Sequence, residues 1–150
     1  MKTLLAKLTG ILAVLALAST LALAKDGWSE DYDKALAQAK ADKKLVLLDF
    51  TGPGWCGWCM KLDKEVFSTP EFQEYAKRNL ALVELGFTSC GEPMSKPFGK
   101  QHQKLSTDYK IQGFPTIIVL NSEGKKVGEL PYQPGGPKAF IAELDKLKAK

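Results

Sequence analysis

Apolar positions along the chain fall into short continuous runs separated by stretches with a helical repeat. Leu45-Val46-Leu47-Leu48-Asp49-Phe50 is apolar but for one residue, the pattern of a strand buried on both faces. Leu80 to Phe87 reads as a second central strand. Gly113-Phe114-Pro115 is a turn leading into the β-run Thr116 to Leu120, and Asn121-Ser122-Glu123-Gly124 is a hairpin loop returning along Lys125 to Leu130. Between these runs, Tyr32, Ala35, Leu36 and Ala39 recur at helical spacing, so a helix is expected over about residues 30–42, capped by Ser29. A helix from about Cys56 to Phe67 turns Cys59, Leu62, Val66 and Phe67 inward. Thr69 caps and Pro70 opens the next, with Phe72, Tyr75 and Ala76 buried. Residues 100–109 form a further helix, and Pro137 opens the last, with Phe140, Ile141, Leu144 and Leu147 inward. Thr51 to Gly54 and Thr88 to Lys100 are loops by composition. An N-terminal helix followed by β, α, β, α, β, β, α implies an α/β domain: a central mixed sheet flanked by helices.

The first residues follow a different logic. Lys2 and Lys7 precede an apolar run from Leu8 to Ala24, broken only by Thr9, Gly10, Ser19 and Thr20. Its ending, Ala22-Leu23-Ala24, and the switch to Lys25-Asp26-Gly27 favour a cleaved secretory signal over residues 1–24 rather than a retained anchor. Residues 25–150 then form one exported domain, expected in the periplasm. Two lysines leave with the leader, so the net charge of +4 falls to +2. No basic patch is interleaved with aromatics, so nucleic-acid binding has little support.

Export sharpens the meaning of the three cysteines, because a dithiol outside the cytoplasm is oxidised unless something keeps it reduced. Cys56 and Cys59 stand two residues apart in Trp55-Cys56-Gly57-Trp58-Cys59, at the point where a strand feeds a helix. A cysteine in a helix's first turn faces unpaired backbone N–H groups and the positive end of the dipole, which favours the thiolate. Cys56 is therefore the expected nucleophile and Cys59 the thiol that resolves the mixed disulfide. A structural disulfide or half a zinc site is the bland alternative, but the remaining ligands on offer, Cys90 and His102, are distant and isolated. A haem attachment needs His after Cys59, where Met60 stands. Cys90 reads first as an inert thiol, with a third redox thiol or a dimerising thiol as the alternatives, and His102 as a surface or packing residue. Asp49 closes an otherwise apolar strand, and burial would bring its titration toward neutrality. Asp63, four residues after Cys59, is equally readable as a solvated helix position or as a second acid of the site.

A strand ending in Asp49-Phe50, then Trp55-Cys56-Gly57-Trp58-Cys59 on a helix, then Gly113-Phe114-Pro115-Thr116 before a hairpin and a final helix resembles the thioredoxin superfamily. The match runs from about Trp28 to Lys148. Lys44 to Phe50, the helix Cys59 to Phe67 and Ser68-Thr69-Pro70-Glu71 are most similar to exported thioredoxin-like proteins related to the C-terminal domain of the thiol:disulfide interchange protein DsbD. The resemblance implies a thioredoxin-like fold and a thiol-disulfide oxidoreductase, more a reductase than an oxidant or isomerase. It implies that Asp49 assists deprotonation of Cys59 and that Asp63 matches an acidic position of the DsbD-like group. It also implies a cis peptide before Pro115 and a substrate surface of Trp55, Gly57, Trp58, Phe114, Pro115 and Thr116. Protein or peptide disulfides would be the substrates of a monomer, with a membrane or periplasmic electron donor upstream and neither cofactor nor metal. The chain departs from the family pattern in one extra residue between Asp49 and Cys56, in Gly57-Trp58 between the thiols, and in a long segment around Cys90.

Overall fold

The computed structural model describes residues 25–149; the expected leader, residues 1–24, lies outside them. Strand β1 (Trp28–Ser29) precedes helix α1 (Tyr32–Asp42), and β2 (Leu45–Thr51) leads to α2 (Gly57–Leu62). A π-helical turn, Asp63–Phe67, continues α2. Helix α3 (Pro70–Asn79), β3 (Leu80–Gly86), α4 (Gly99–Asp108), β4 (Thr116–Leu120), β5 (Lys126–Leu130) and α5 (Gly136–Lys148) complete the order. The strands form one five-stranded sheet in the order β1-β3-β2-β4-β5. β1 and β2 run parallel to β3, while β4 is antiparallel to both β2 and β5. This is the α/β architecture expected, with β1 added ahead of the first helix.

Side-chain alternation divides the core into two layers. Leu45 and Leu47 of β2 join Leu62, Phe67, Phe72, Phe140 and Leu144 on the face covered by α2, the π turn, α3 and α5. Val46, Leu48 and Phe50 join Ala35, Ala39, Val83 and Leu105 beneath α1 and α4. Every residue of β2 is buried, because helices cover both faces of the central strand.

Three local readings are corrected. The cap of α1 is Asp31, whose carboxylate accepts from the Lys34 N–H at 3.2 Å. Ser29 is instead held in β1 opposite Val83, so the helix starts later than expected. The stretch from Cys56 to Phe67 is not one regular α-helix. Its second half widens into the π turn, though Cys59, Leu62, Val66 and Phe67 all remain buried. The Thr88–Lys100 segment is more ordered than its composition suggests: Phe87 bridges Pro93, and the Met94 N–H donates to the Gly86 carbonyl at 2.9 Å.

Candidate active site

The turn between β2 and α2 sets Cys56 at a helix start. The Trp55 N–H donates to the Gly52 carbonyl at 3.3 Å, with Pro53 second in the turn and Gly54 third at φ +80°. That turn accommodates the extra residue of the Asp49–Cys56 spacing. Gly52 itself has no room for a side chain: a Cβ would lie 2.4 Å from the Trp55 ring and 2.9 Å from Cys56 Cβ. Cys56 is the N-cap of α2, with extended backbone, and the Cys59 N–H donates to its Sγ at 3.2 Å. Cys56 and Cys59 are joined as a disulfide, their Cα atoms 5.2 Å apart. Both are buried but for a sliver, 7% and 5% exposed.

Asp49 follows Leu45 and Leu47 by steps of two, so it leaves β2 on the face covered by α2. It is buried, and its Oδ1 has no hydrogen-bond partner among the described residues. Burial first, then the neighbouring Glu84 carboxylate, push its carboxyl from 3.8 up to about 8, against an opposing pull from Lys25. Glu84 is itself shifted upward, chiefly by burial. Asp63 lies at the start of the π turn. It is about two-fifths exposed, accepts from Ser68 Oγ at 2.8 Å and is ion-paired with Lys25.

Aromatic side chains surround the dithiol. Trp55, 42% exposed, meets Phe114 edge to face at 5.9 Å and donates its Nε1–H to the Phe87 carbonyl at 2.8 Å. Phe114 also stacks on Phe87 at 5.4 Å and packs against the α1/α4 core layer. The Phe114–Pro115 peptide is cis. Thr116 opens β4 and donates its hydroxyl to the Gly113 carbonyl at 2.8 Å. Gly57 begins α2 with open space where a side chain would stand. Trp58 is 60% exposed and pairs with Tyr132 at 5.3 Å rather than with the other candidate residues. Tyr132 donates in turn to Glu65 Oε2 at 2.6 Å.

The structure thus gathers Cys56, Cys59, Trp55 and Phe114 at one end of the sheet, with Asp49 on the face beneath α2 and Asp63 at the rim. Lys25, Glu84 and the Glu65–Tyr132 pair were not foreseen. Glu84 carried a signal, as the one charged residue in the Leu80–Phe87 run; Lys25 carried none. Cys90 is exposed within the ordered Thr88–Lys100 segment. His102 is fully buried, its Nε2 2.8 Å from the Glu30 carbonyl, which ties α4 to the segment ahead of α1. Among the described residues, no cluster of three His, Cys, Asp or Glu side chains is placed to hold a metal ion.

Residues 32–148 match the model of a thioredoxin-like domain. The chain belongs to the thioredoxin-like family. Disulfide bond reductase DsbH of Chlamydia pneumoniae is 33% identical over 115 residues, which cover 77% of this chain and 69% of DsbH. A solved structure of a DsbH oxidoreductase superposes with a TM-score of 0.73 at 30% identity, covering 81% of this chain and 83% of that one. The reduced C-terminal domain of DsbD from Neisseria meningitidis, 23% identical over 76% of this chain and 91% of its own, shares the fold at a TM-score of 0.58. With Cys56 and Cys59 at disulfide distance, this thioredoxin-like chain is a disulfide oxidoreductase similar to DsbH.

Proposed function

We propose that the chain is an exported reductase of protein or peptide disulfides working through Cys56 and Cys59. One observation carries the reading: the Cys59 amide is aimed at Cys56 Sγ at the start of α2. In the reduced protein that amide and the helix's positive end favour the Cys56 thiolate. The thiolate attacks one sulfur of the substrate disulfide, whose S–S bond breaks as the other sulfur leaves as a thiolate. Cys59 passes its proton to Asp49 and attacks Cys56 Sγ, releasing the second substrate sulfur. The substrate gains two electrons and, with two protons, becomes a dithiol, while the protein is left with the Cys56–Cys59 bridge. An upstream dithiol donor, membrane-bound or periplasmic, returns the electrons.

Trp55, Trp58 and Phe114 offer the substrate an apolar rim. The backbone around Pro115 and Thr116 offers β-type pairing to an extended segment, and Gly57 leaves space above the thiols. Asp63 adds a second carboxylate at the edge. The name of the relative DsbH supports the reducing direction, and the leader-like residues 1–24 support export. Acceleration of insulin reduction by dithiothreitol is expected of the parent and lost in Cys56→Ser; full activity in that variant defeats the reading. An equilibrium potential near the oxidising end of the family range, about −120 mV rather than about −270 mV, defeats the direction alone.

A further inference from the structure

Lys25 stands ahead of β1, outside the motif that marks the dithiol, yet the fold returns it to the site. The Trp28 N–H donates to the Lys25 carbonyl at 2.8 Å, and Gly27 takes φ +82° to close that turn. Pairing of Trp28 with Leu82 and Ser29 with Val83 anchors the turn beside the part of β3 that carries Glu84. The Lys25 ammonium lies 4.9 Å from the centre of the Trp28 ring and 5.4 Å from that of Phe67. It is paired with Asp63, at the other end of the π turn from Phe67, and its side chain is 29% exposed.

Asp63 of the π turn pairs with this ammonium, while Asp49 of β2 and Glu84 of β3 are register partners on the face that carries Leu47 and Leu82 in the same core layer as Trp28 and Phe67, and attract it from there. Glu30, from the segment ahead of α1, adds its negative charge behind Glu84. Lys25 is the cation that opposes them. Holding an ammonium against two aromatic rings removes it from water, and the Lys25 pKa is lowered accordingly. A partly exposed pair with Asp63 is a small return for that cost. The ammonium's place beside the core layer that Asp49 and Glu84 face supplies a functional reason for the placement.

We infer that Lys25 is a positioning residue of the dithiol site, its ammonium the shared counter-charge that keeps Asp49 able to take the Cys59 proton. The inference rests on the proposed reductase chemistry for its catalytic meaning; the charge placement is measurable without it. The side-chain carboxyl of Asp49 is followed by carbon NMR against pH in the reduced chain of residues 25–150, as parent and as Lys25→Met, Lys25→Gln and Lys25→Arg, the α-ammonium of residue 25 being common to all four. Met keeps the apolar stem that packs on Trp28 and Phe67, and Gln gives an independent neutral replacement.

Loss of the cation disfavours ionised Asp49, so in both neutral variants the midpoint is expected to rise by about one pH unit. The pH at which disulfide reduction reaches half its maximum should rise with it, while Lys25→Arg keeps the parent values. An unmoved midpoint in the Met and Gln variants overturns the inference, and so does an Arg variant that shifts as far as they do. A moved midpoint with an unmoved reduction profile overturns its catalytic half. If the parent reduces no disulfide, the proposed function falls by itself, and the titration still decides whether Lys25 acts on Asp49.

Discussion

Asp49 and Glu84 are register partners on the adjacent parallel strands β2 and β3. Each follows its strand's buried leucines, Leu47 and Leu82, by two residues, so both leave the sheet on the same face. Like charges set side by side repel, and burial penalises each separately. Burial first, and the Glu84 charge second, push the Asp49 carboxyl up to about 8, where it can exchange a thiol proton near ambient pH.

That shift makes Asp49 a stability liability whose sign depends on pH. Its folded pKa, about 8, lies above the ordinary value of 3.8, so the folded state holds the proton more tightly. Stability conferred by the neutral carboxyl is complete below about pH 4 and is lost as pH rises toward 8; Glu84, shifted the same way, adds to the loss. Asp49→Asn should thus exceed the parent in stability by a few kcal/mol at about pH 8.5 and by much less at about pH 4.5. Urea midpoints of the oxidised proteins at the two pH values measure this. Equal differences at both would mean that Asp49 ionises as an ordinary surface aspartate does.

Catalysis should respond in the opposite direction. Without a base behind Cys59, attack of Cys56 on substrate proceeds but release of the mixed disulfide slows by about 10²-fold near neutral pH. The Asp49→Asn protein should accumulate the mixed disulfide in acid-quenched samples, and the rise in rate through about pH 8 expected of the parent should vanish. An unchanged pH profile would remove Asp49 from the proton path.

Gly52 fixes the approach of Trp55 to Cys56. A methyl group there meets the Trp55 ring at 2.4 Å and Cys56 Cβ at 2.9 Å, contacts that only a shift of the turn relieves. Gly52→Ala is expected to destabilise the oxidised protein by about 1–3 kcal/mol. It should also break the Trp55 Nε1–H bond to the Phe87 carbonyl, displacing that indole proton in the NMR spectrum. Gly57→Ala, beside open space, is the control and should leave both readouts in place.

How legible the site was in sequence follows from how local each feature is. The helix start at Cys56, the buried run of β2 and the cap and proline of α3 depend on neighbours a few residues away, and all were readable. β1 was not, because two residues have no period; its pairing with β3 exists only once the sheet is assembled. The π turn hid for a similar reason, since its buried residues keep an apolar stripe compatible with a regular helix. Asp49 was readable as a lone acid in an apolar run, but its charge environment was not. Glu84 acts through strand register and Lys25 through a turn, and neither relation has a fixed sequence spacing.

Tyr132 lies far from Cys56 in sequence yet supports the residue between the thiols. Its ring packs against Trp58 at 5.3 Å, and its hydroxyl donates to Glu65, which also receives Lys61 Nζ at 2.7 Å. The Lys61 ammonium lowers the Glu65 carboxyl, and the bond to Glu65 raises the Tyr132 phenol, so the network is held charged and donating at neutral pH. An aromatic pair of this kind contributes about 1 kcal/mol, so Tyr132→Ala should free Trp58 and raise KM for a protein disulfide about fivefold. The rate at saturation should hold, because the substitution does not touch Cys56, Cys59 or Asp49. Tyr132→Phe keeps the ring and should keep the parent KM while losing the bond to Glu65. Steady-state reduction of insulin, with Trp58 fluorescence as the local reporter, separates the two variants; equal KM values in all three proteins would show that Trp58 needs no support to bind substrate.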